Sequence, residues 1–284
     1  VLFSERDEAG KSHYDRVREY YQRFEVPDYD LSLFYDAEQD ELTDLFYKGD
    51  RSMRESGFDI SNRFGPFSVD IVHYAPVCLN SLLYQVERDL ERFNDYFGHR
   101  EIAQQWRDRA DLRQAQINHL LWDESCGLYL DYHFASACRR EYPFATTFYP
   151  LWLGIATADQ AQRIVENLEQ FEAPGGLLTS TQVTGNQWDA PFGWAPLTLI
   201  AVQGLYRYGY RNEGDRIAEK FLNMVVKEFE KTGAIVEKYD VERCSSQVSD
   251  EICFGYSSNE VGFGWTNGVL LELLHAHSMF NDMV

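Results

Sequence analysis

Apolar positions in this chain gather into two kinds of run, and the two kinds alternate. The stretch PVCLNSLLYQVERDLERFNDYF (76–97) starts at a proline and is apolar on nearly every side for two turns. The next, EIAQQWRDRADLRQAQINHLLW (101–122), keeps a charged face. ATTFYPLWLGIA (145–156) is again apolar all round, and TADQAQRIVENLEQF (157–171) is amphipathic behind Thr157, a favourable N-cap. The pattern repeats in GWAPLTLIAVQGLYRYG (193–209), apolar, and NEGDRIAEKFLNMVVKEFEKTG (212–233), one-faced and closed by Gly233. GWTNGVLLELLHAH (264–277) is another apolar helix, and 12–24 and 40–53 also read as helices. A helix apolar on all sides is buried, whereas one with a single apolar stripe lies outside it. Strict alternation therefore predicts an all-α, double-layered toroid of inner and outer helices. About nine helices make roughly four and a half pairs, fewer than the six of a closed ring. The ring is expected to be incomplete in this chain, or to be completed by a missing N-terminal segment or a second chain. No linker rich in Pro, Gly or Ser divides 1–284, so one domain is expected.

The loops that enter the inner helices, around 54–75, 125–144, 174–192 and 234–263, are expected on one rim. Most of the Trp, Gly and Pro residues that suit no helix fall there. GLYLDYHF (127–134) alternates like a hairpin strand.

Composition narrows the partners. The 284 residues carry a formal net charge of −20, with no basic stripe, which argues against nucleic acid and anionic lipid. No apolar run approaches a membrane span and no signal peptide is visible. A soluble protein is expected, cytoplasmic or periplasmic. The five cysteines form no CxxC pair; Cys126–Cys138 and Cys244–Cys253 are spaced so that either could pair in an oxidising compartment. Aromatics make up 15% of the chain, more than packing usually requires.

Three rim loops carry candidate chemistry. In RESGFDISNRFGPFS (54–68), Asp59 stands beside Phe58 and four residues before Arg63. A carboxyl against an aromatic ring tends to hold its proton, as a general acid must. A helix-capping aspartate paired with Arg63 would look the same. In NQWDAPFGWAPL (186–197), Pro191 and Pro196 fix the backbone while Trp188 and Trp194 offer flat faces beside Asn186, Gln187 and Asp189. Such a mixture suits a sugar ring, whose C–H faces stack while its hydroxyls need directed partners. On this reading Gln187, Trp188 and Asp189 turn toward an open cleft. A loop packed by its own tryptophans is the alternative. In AIVEKYDVERC (234–244), Glu237 sits in a strand-like run beside Tyr239, either as a second carboxylate or as one charge of a surface strand. Glycoside hydrolysis needs such a pair, one protonated and one ionised. No HExxH and no G-x-S-x-G occurs, GFGWTNG (262–268) lacks the spacing of a phosphate loop, and neither a metal nor a cofactor is expected.

These blocks together resemble the trehalase family, glycoside hydrolase family 37. Gln187, Trp188, Asp189, Pro191, Trp194 and Pro196 match its QWD-aromatic-P-x-x-W-x-P signature, with Ala190 in place of the aromatic. ESGFDISNRF (55–64) resembles ESGWD-aromatic-SSRW, PVCLNSLLY (76–84) resembles PVDLNALLY, and EKYDV (237–241) and GFGWTNGV (262–269) match the last blocks in full. The likeness runs in order over roughly 50–275. The family's first signature, PGGRF-x-E-x-YYWD, is absent, and ICFGYSSNEV (252–261) stands where the family has a glycine-rich run ending in Glu-Tyr, with Tyr256 at the glutamate and Glu260 nearby.

The resemblance implies an (α/α)6 barrel and an inverting glycosidase acting on trehalose. Asp59 would be the general acid and Glu237 the general base. Phe58, Arg63, Gln187, Trp188, Asp189, Trp194, Tyr239 and Trp265 would line the site of a small carbohydrate. A related α-glucosidase or mannosidase, or a non-catalytic carbohydrate-binding or scaffold remnant, remains the alternative.

Overall fold

A computed structural model of the chain describes residues 10–248, 252 and 258–276. Cys253, Tyr256 and His277 lie outside these. The chain falls into two compact units, Val1–His73 and Tyr74–Val284.

The first unit is built on α1 (His13–Arg23) and α2 (Asp44–Glu55). Ser12 and Asp15 close a reciprocal capping box at the start of α1, and Thr43 caps α2 through its hydroxyl. Val17 and Tyr21 of α1 and Phe46 and Met53 of α2 are buried. Gly49 lets the chain at Val69 press onto α2: a Cβ there would meet the Val69 carbonyl at 2.1 Å. The tight turns of Pro66–His73 follow, with Phe67 and Ser68 at positive φ.

The second unit holds α3 (Val77–Tyr96), α4 (Arg100–Gln116), α5 (Tyr149–Trp152), α6 (Ala158–Glu166), α7 (Ala195–Arg207), α8 (Arg211–Thr232) and α9 (Gly264–Ala276). All seven fall where the hydrophobic pattern puts them. α4 continues through a π turn, Ile117–Leu121, and α5 is preceded by a 3-10 turn, Ala145–Phe148. Thr157 caps α6 in a box with Gln160, and Gly233 ends α8 in the left-handed region. α3 packs on α5, α5 on α7 and α7 on α9; α4 lies against α3 and α8 against α7. The inner helices are thus consecutive neighbours in one layer, with outer helices over them. Close approach comes from small residues. Gly204 of α7 meets the backbone of α5 at Trp152, and Ala103 and Ala110 bury the inner face of α4. An Arg113–Glu87 pair, with two hydrogen bonds of 2.8 Å, ties α4 to α3.

One helix departs from expectation. α3 buries Val77, Cys78, Ser81 and Tyr84, but Leu79, Leu82, Leu83 and Val86 are exposed. These fall at i, i+3, i+4 and i+7, a continuous stripe on one face. Apolarity all round marks α3 as an inner helix, and the stripe is left uncovered by α4 and α5, which pack on α3 elsewhere.

Strands among the described residues are two or three residues long, and the 127–134 run resolves into two of them, Leu128–Tyr129 and Tyr132–His133. Their role is to lock the rim loops. Phe144 bridges to Ser180, Phe192–Trp194 pairs antiparallel with Lys238–Asp240, and Val236 bridges to Val261. The 125–144, 174–192 and 234–263 loops are thereby knitted together. Cys126 and Cys138 are both free thiols, so the pairing their spacing allows is not made; Cys244 is free as well.

Candidate active site

In the first unit the 54–68 loop begins at the end of α2. Arg54 donates two hydrogen bonds of 3.0 Å to Asp50, which also accepts from the Tyr14 hydroxyl at 3.0 Å. Burial works against the Arg54 charge, but these bonds and the nearby carboxylates, Asp59 among them, raise its pKa above the ordinary value. Gly57, at φ 84°, turns the chain. Phe58 is buried behind it and Asp59 is half-buried. Arg63 is 1% exposed, its guanidinium 5.4 Å from the Phe58 ring centre and 5.0 Å from that of Phe64. Ser61 and Ser68 staple the loop: the Ser68 hydroxyl donates to the Ser61 carbonyl at 2.7 Å, and the Ser61 hydroxyl accepts from the Arg63 amide at 3.2 Å. Arg63 is therefore held by the loop between two rings. Asp70 and His73 pair at 2.7 Å in the same unit.

In the second unit the pairing of Phe192–Trp194 with Lys238–Asp240 sets the residues of NQWDAPFGWAPL against those of EKYD, with Trp194 opposite Lys238. Glu237 immediately precedes this strand and is 2% exposed. Its backbone carbonyl accepts from Trp265 Nε1 at 3.3 Å and from the Thr266 hydroxyl at 3.4 Å, tying it to the start of α9. Asn259 takes the place of a ladder neighbour. It accepts from the Lys238 amide at 3.1 Å and donates to the Lys238 carbonyl at 2.9 Å. The result is a buried carboxylate on a backbone fixed from both sides.

The tryptophans form one block. Trp188 and Trp194 stack with centroids 3.7 Å apart and planes 5° from parallel. Trp265 meets both edge-on, at 6.4 and 5.8 Å. Trp194 Nε1 donates to the Gln187 carbonyl at 3.0 Å. Trp194 has no exposed surface, and one of its faces is taken by Trp188. Pro196 sits in the first turn of α7, where its missing N–H leaves no bond unmade.

Gln187, Trp188 and Asp189 were expected to turn outward; all three are buried, and Asp189 has no exposed surface. Tyr142 and Ser180 donate to its Oδ1, each at 2.8 Å, and Thr184 donates to Oδ2 at 2.6 Å. Burial, followed by the Asp189 charge, pushes the Tyr142 hydroxyl far above its usual range. The loop needs these hydroxyls to hold a carboxylate inside it. Tyr239 packs on Phe221 of α8, and its hydroxyl accepts from the Val236 amide at 3.2 Å; burial raises its pKa too. The second unit thus brings together Gln187, Trp188, Asp189, Trp194, Glu237, Tyr239 and Trp265, while Phe58, Asp59 and Arg63 share one loop of the first.

Sequence reasoning missed Tyr142, Ser180, Thr184, Asn259 and Lys238. Hydroxyls and amides in loops carry no periodic signal. Lys238 did leave one: a lysine in the strand-like run IVEKYDV, directly after the candidate base Glu237.

The trehalase family model matches residues 3–278. A cytosolic neutral trehalase of Kluyveromyces lactis is 35% identical over 294 aligned positions, covering 93% of this chain and 38% of that protein. The solved neutral trehalase of Saccharomyces cerevisiae superposes with a TM-score of 0.74 at 32% identity, over 95% of this chain and 50% of that one. A family 63 mannosylglycerate hydrolase from Thermus thermophilus, solved with glucose, gives 0.54 at 16% identity, over 80% of this chain and 50% of its own. That last likeness speaks for the fold alone. The fold is the (α/α)6 class that these structures share. This chain spans less than half the length of the curated relative and half that of the solved ones.

Proposed function

The chain belongs to the trehalase family, and on that premise we propose that it supplies the catalytic acid and base of an inverting glycosidase that hydrolyses trehalose to glucose. The observation that carries the reading is the strand pairing of Phe192–Trp194 with Lys238–Asp240, which ties Glu237 to the Gln187–Asp189 loop. A buried carboxylate fixed beside a tryptophan block and an amide is what a sugar-bound water needs.

In this reading Asp59 gives its proton to the glycosidic oxygen as the C–O bond breaks. Glu237 takes a proton from a water on the opposite face of the ring, and that water attacks the anomeric carbon. The products are one glucose with inverted configuration and one that leaves with its own. Asp59 is left ionised and Glu237 protonated, and solvent restores both. An inverting pair needs roughly 6.5–9.5 Å between its carboxyls, and the reading requires that separation. Phe58, Arg63, Gln187, Trp188 and Trp265 are assigned to the sugar, with Asp189, Trp194 and Tyr239 as the frame of the Gln187–Glu237 region. No metal or cofactor enters this chemistry.

The relatives' names support trehalose as substrate and the cytosol as compartment. The exposed α3 stripe supports a partner: further helices of the ring, from the same polypeptide or another chain, covering Leu79, Leu82, Leu83 and Val86.

The test is kinetic. The complete polypeptide should release glucose from trehalose in preference to other α-linked disaccharides. Asp59→Asn and Glu237→Gln should each cut kcat by about a thousandfold with unchanged thermal melting. Full activity in either variant removes that residue from its role.

A further inference from the structure

Lys238 has no part in the chemistry above, yet it has no solvent exposure. Its ammonium lies 2.9 Å from the Ser258 carbonyl, 3.3 Å from Oε1 of Gln187 and 3.5 Å from Oε2 of Glu237. The Trp194 ring centre is 5.5 Å away. An ammonium has three donors and no acceptor, and here three acceptors converge on it, one from its chain neighbour Glu237 and two from other segments of the chain. A buried ammonium is costly unless it is paired and hydrogen-bonded, and an apolar side chain of similar volume would fill the same space without that cost. Packing therefore does not explain the residue. Its contacts do: one is the carboxylate assigned as general base, another an amide assigned to the sugar.

We propose that Lys238 is a positioning residue for hydrolysis, its ammonium clamping the Glu237 carboxylate and the Gln187 amide in one fixed arrangement. The inference rests on the reading of Glu237 as general base. The ammonium only donates, so Gln187 turns its oxygen to Lys238 and carries its NH2 at the other end of the amide. The base and the amide then keep their spacing through each turnover, because one rigid group holds both. Trp194 closes a further side of the ammonium, which makes its burial in the core a part of the same device.

The test is made on the complete polypeptide with trehalose, using wild type, Lys238→Met, Lys238→Ala, Glu237→Gln and Glu237→Gln/Lys238→Met. Lys238→Met should lower kcat about 100-fold with KM changed less than about tenfold. In the Glu237→Gln background the same substitution should change kcat by less than about threefold, because the clamp has already lost its carboxylate. Lys238→Ala should regain activity with added ethylammonium and not with ethanol, a distinction that a merely structural lysine would not produce. A kcat for Lys238→Met within about threefold of wild type, losses that multiply in the double variant, or no rescue by the amine would each overturn the proposal. Should the lysine variants fail to fold, the wild type decides by 15N NMR of its lysine ammonium groups. One slowly exchanging resonance that shifts in Glu237→Gln is expected, and its absence overturns the proposal. A wild type that releases no glucose would remove the underlying reading of Glu237. An active wild type with an indifferent Lys238→Met would remove only the role of the lysine.

Discussion

At the scale of single residues, Asp189 shows how a loop can be built around one charge. Its carboxylate has no exposed surface and accepts from three hydroxyls, those of Tyr142, Ser180 and Thr184. Removing it leaves those donors facing an empty space. An unsatisfied buried donor costs about 1–3 kcal/mol, so Asp189→Ala should lose about 3 kcal/mol of stability, and Asp189→Asn less, because its amide oxygen still accepts. Urea unfolding of the two variants checks this. Equal stability of Asp189→Ala and wild type would mean that the hydroxyls find other partners. The sequence marked Asp189 as chemically important through its company of tryptophans and prolines. It could not tell a carboxylate aimed at a ligand from one aimed at its own loop, because the three hydroxyls come from positions 5 to 47 residues away.

At the scale of elements, the helices were legible because their period is local: a capping threonine, an apolar stripe and a closing glycine all lie within one segment. The rim loops were legible only as motifs. The strand pairing and bridges that knit them together join residues 25 to 48 positions apart, Trp194 and Lys238 among them, and no local pattern specifies them. The α1–α2 pair adds a pH dependence of its own. His13 is buried, and its pKa is lowered to about 4, first by desolvation and then by the Arg54 charge, with Asp50 opposing. In the unfolded chain it titrates near 6.5. Above that pH both states hold it neutral and it has no effect. As pH falls from about 6.5 to about 4, the unfolded state takes up the proton and the native state does not, so stability is lost, by about 3 kcal/mol in all. Below about 4 the loss is complete. His13→Gln should flatten the stability profile between those limits in denaturant titrations. An unchanged slope would show that His13 is charged in the folded protein.

At the scale of the whole molecule, the exposed stripe on α3 carries the most weight. Nine helices were anticipated from the alternation, and α1 to α9 occupy those segments among the described residues. The exposed stripe on α3 was not anticipated. A helix apolar on all sides reads as buried from sequence, whatever fraction of its neighbours the chain supplies. Leu79 and Val86 are each 51% exposed, and a contiguous apolar face of this kind marks a contact surface. Replacing Leu82 and Val86 together by Gln should reduce self-association of the 284-residue chain produced by itself, as read by sedimentation velocity. In a polypeptide whose further helices cover this face, the same pair of substitutions should lower the melting temperature by several degrees. No effect there would show that the stripe faces solvent in the working protein.

The central claim is inversion at a trehalose anomeric carbon by Asp59 and Glu237. Proton NMR of the first glucose released tests it directly, because both sugars of trehalose start in the α configuration. Inversion puts one glucose out as β and lets the other leave as α, so the two anomers should appear in equal amounts before mutarotation mixes them. Release of α-glucose alone would mean retention, and the assignment of Glu237 as a base acting on water would be wrong.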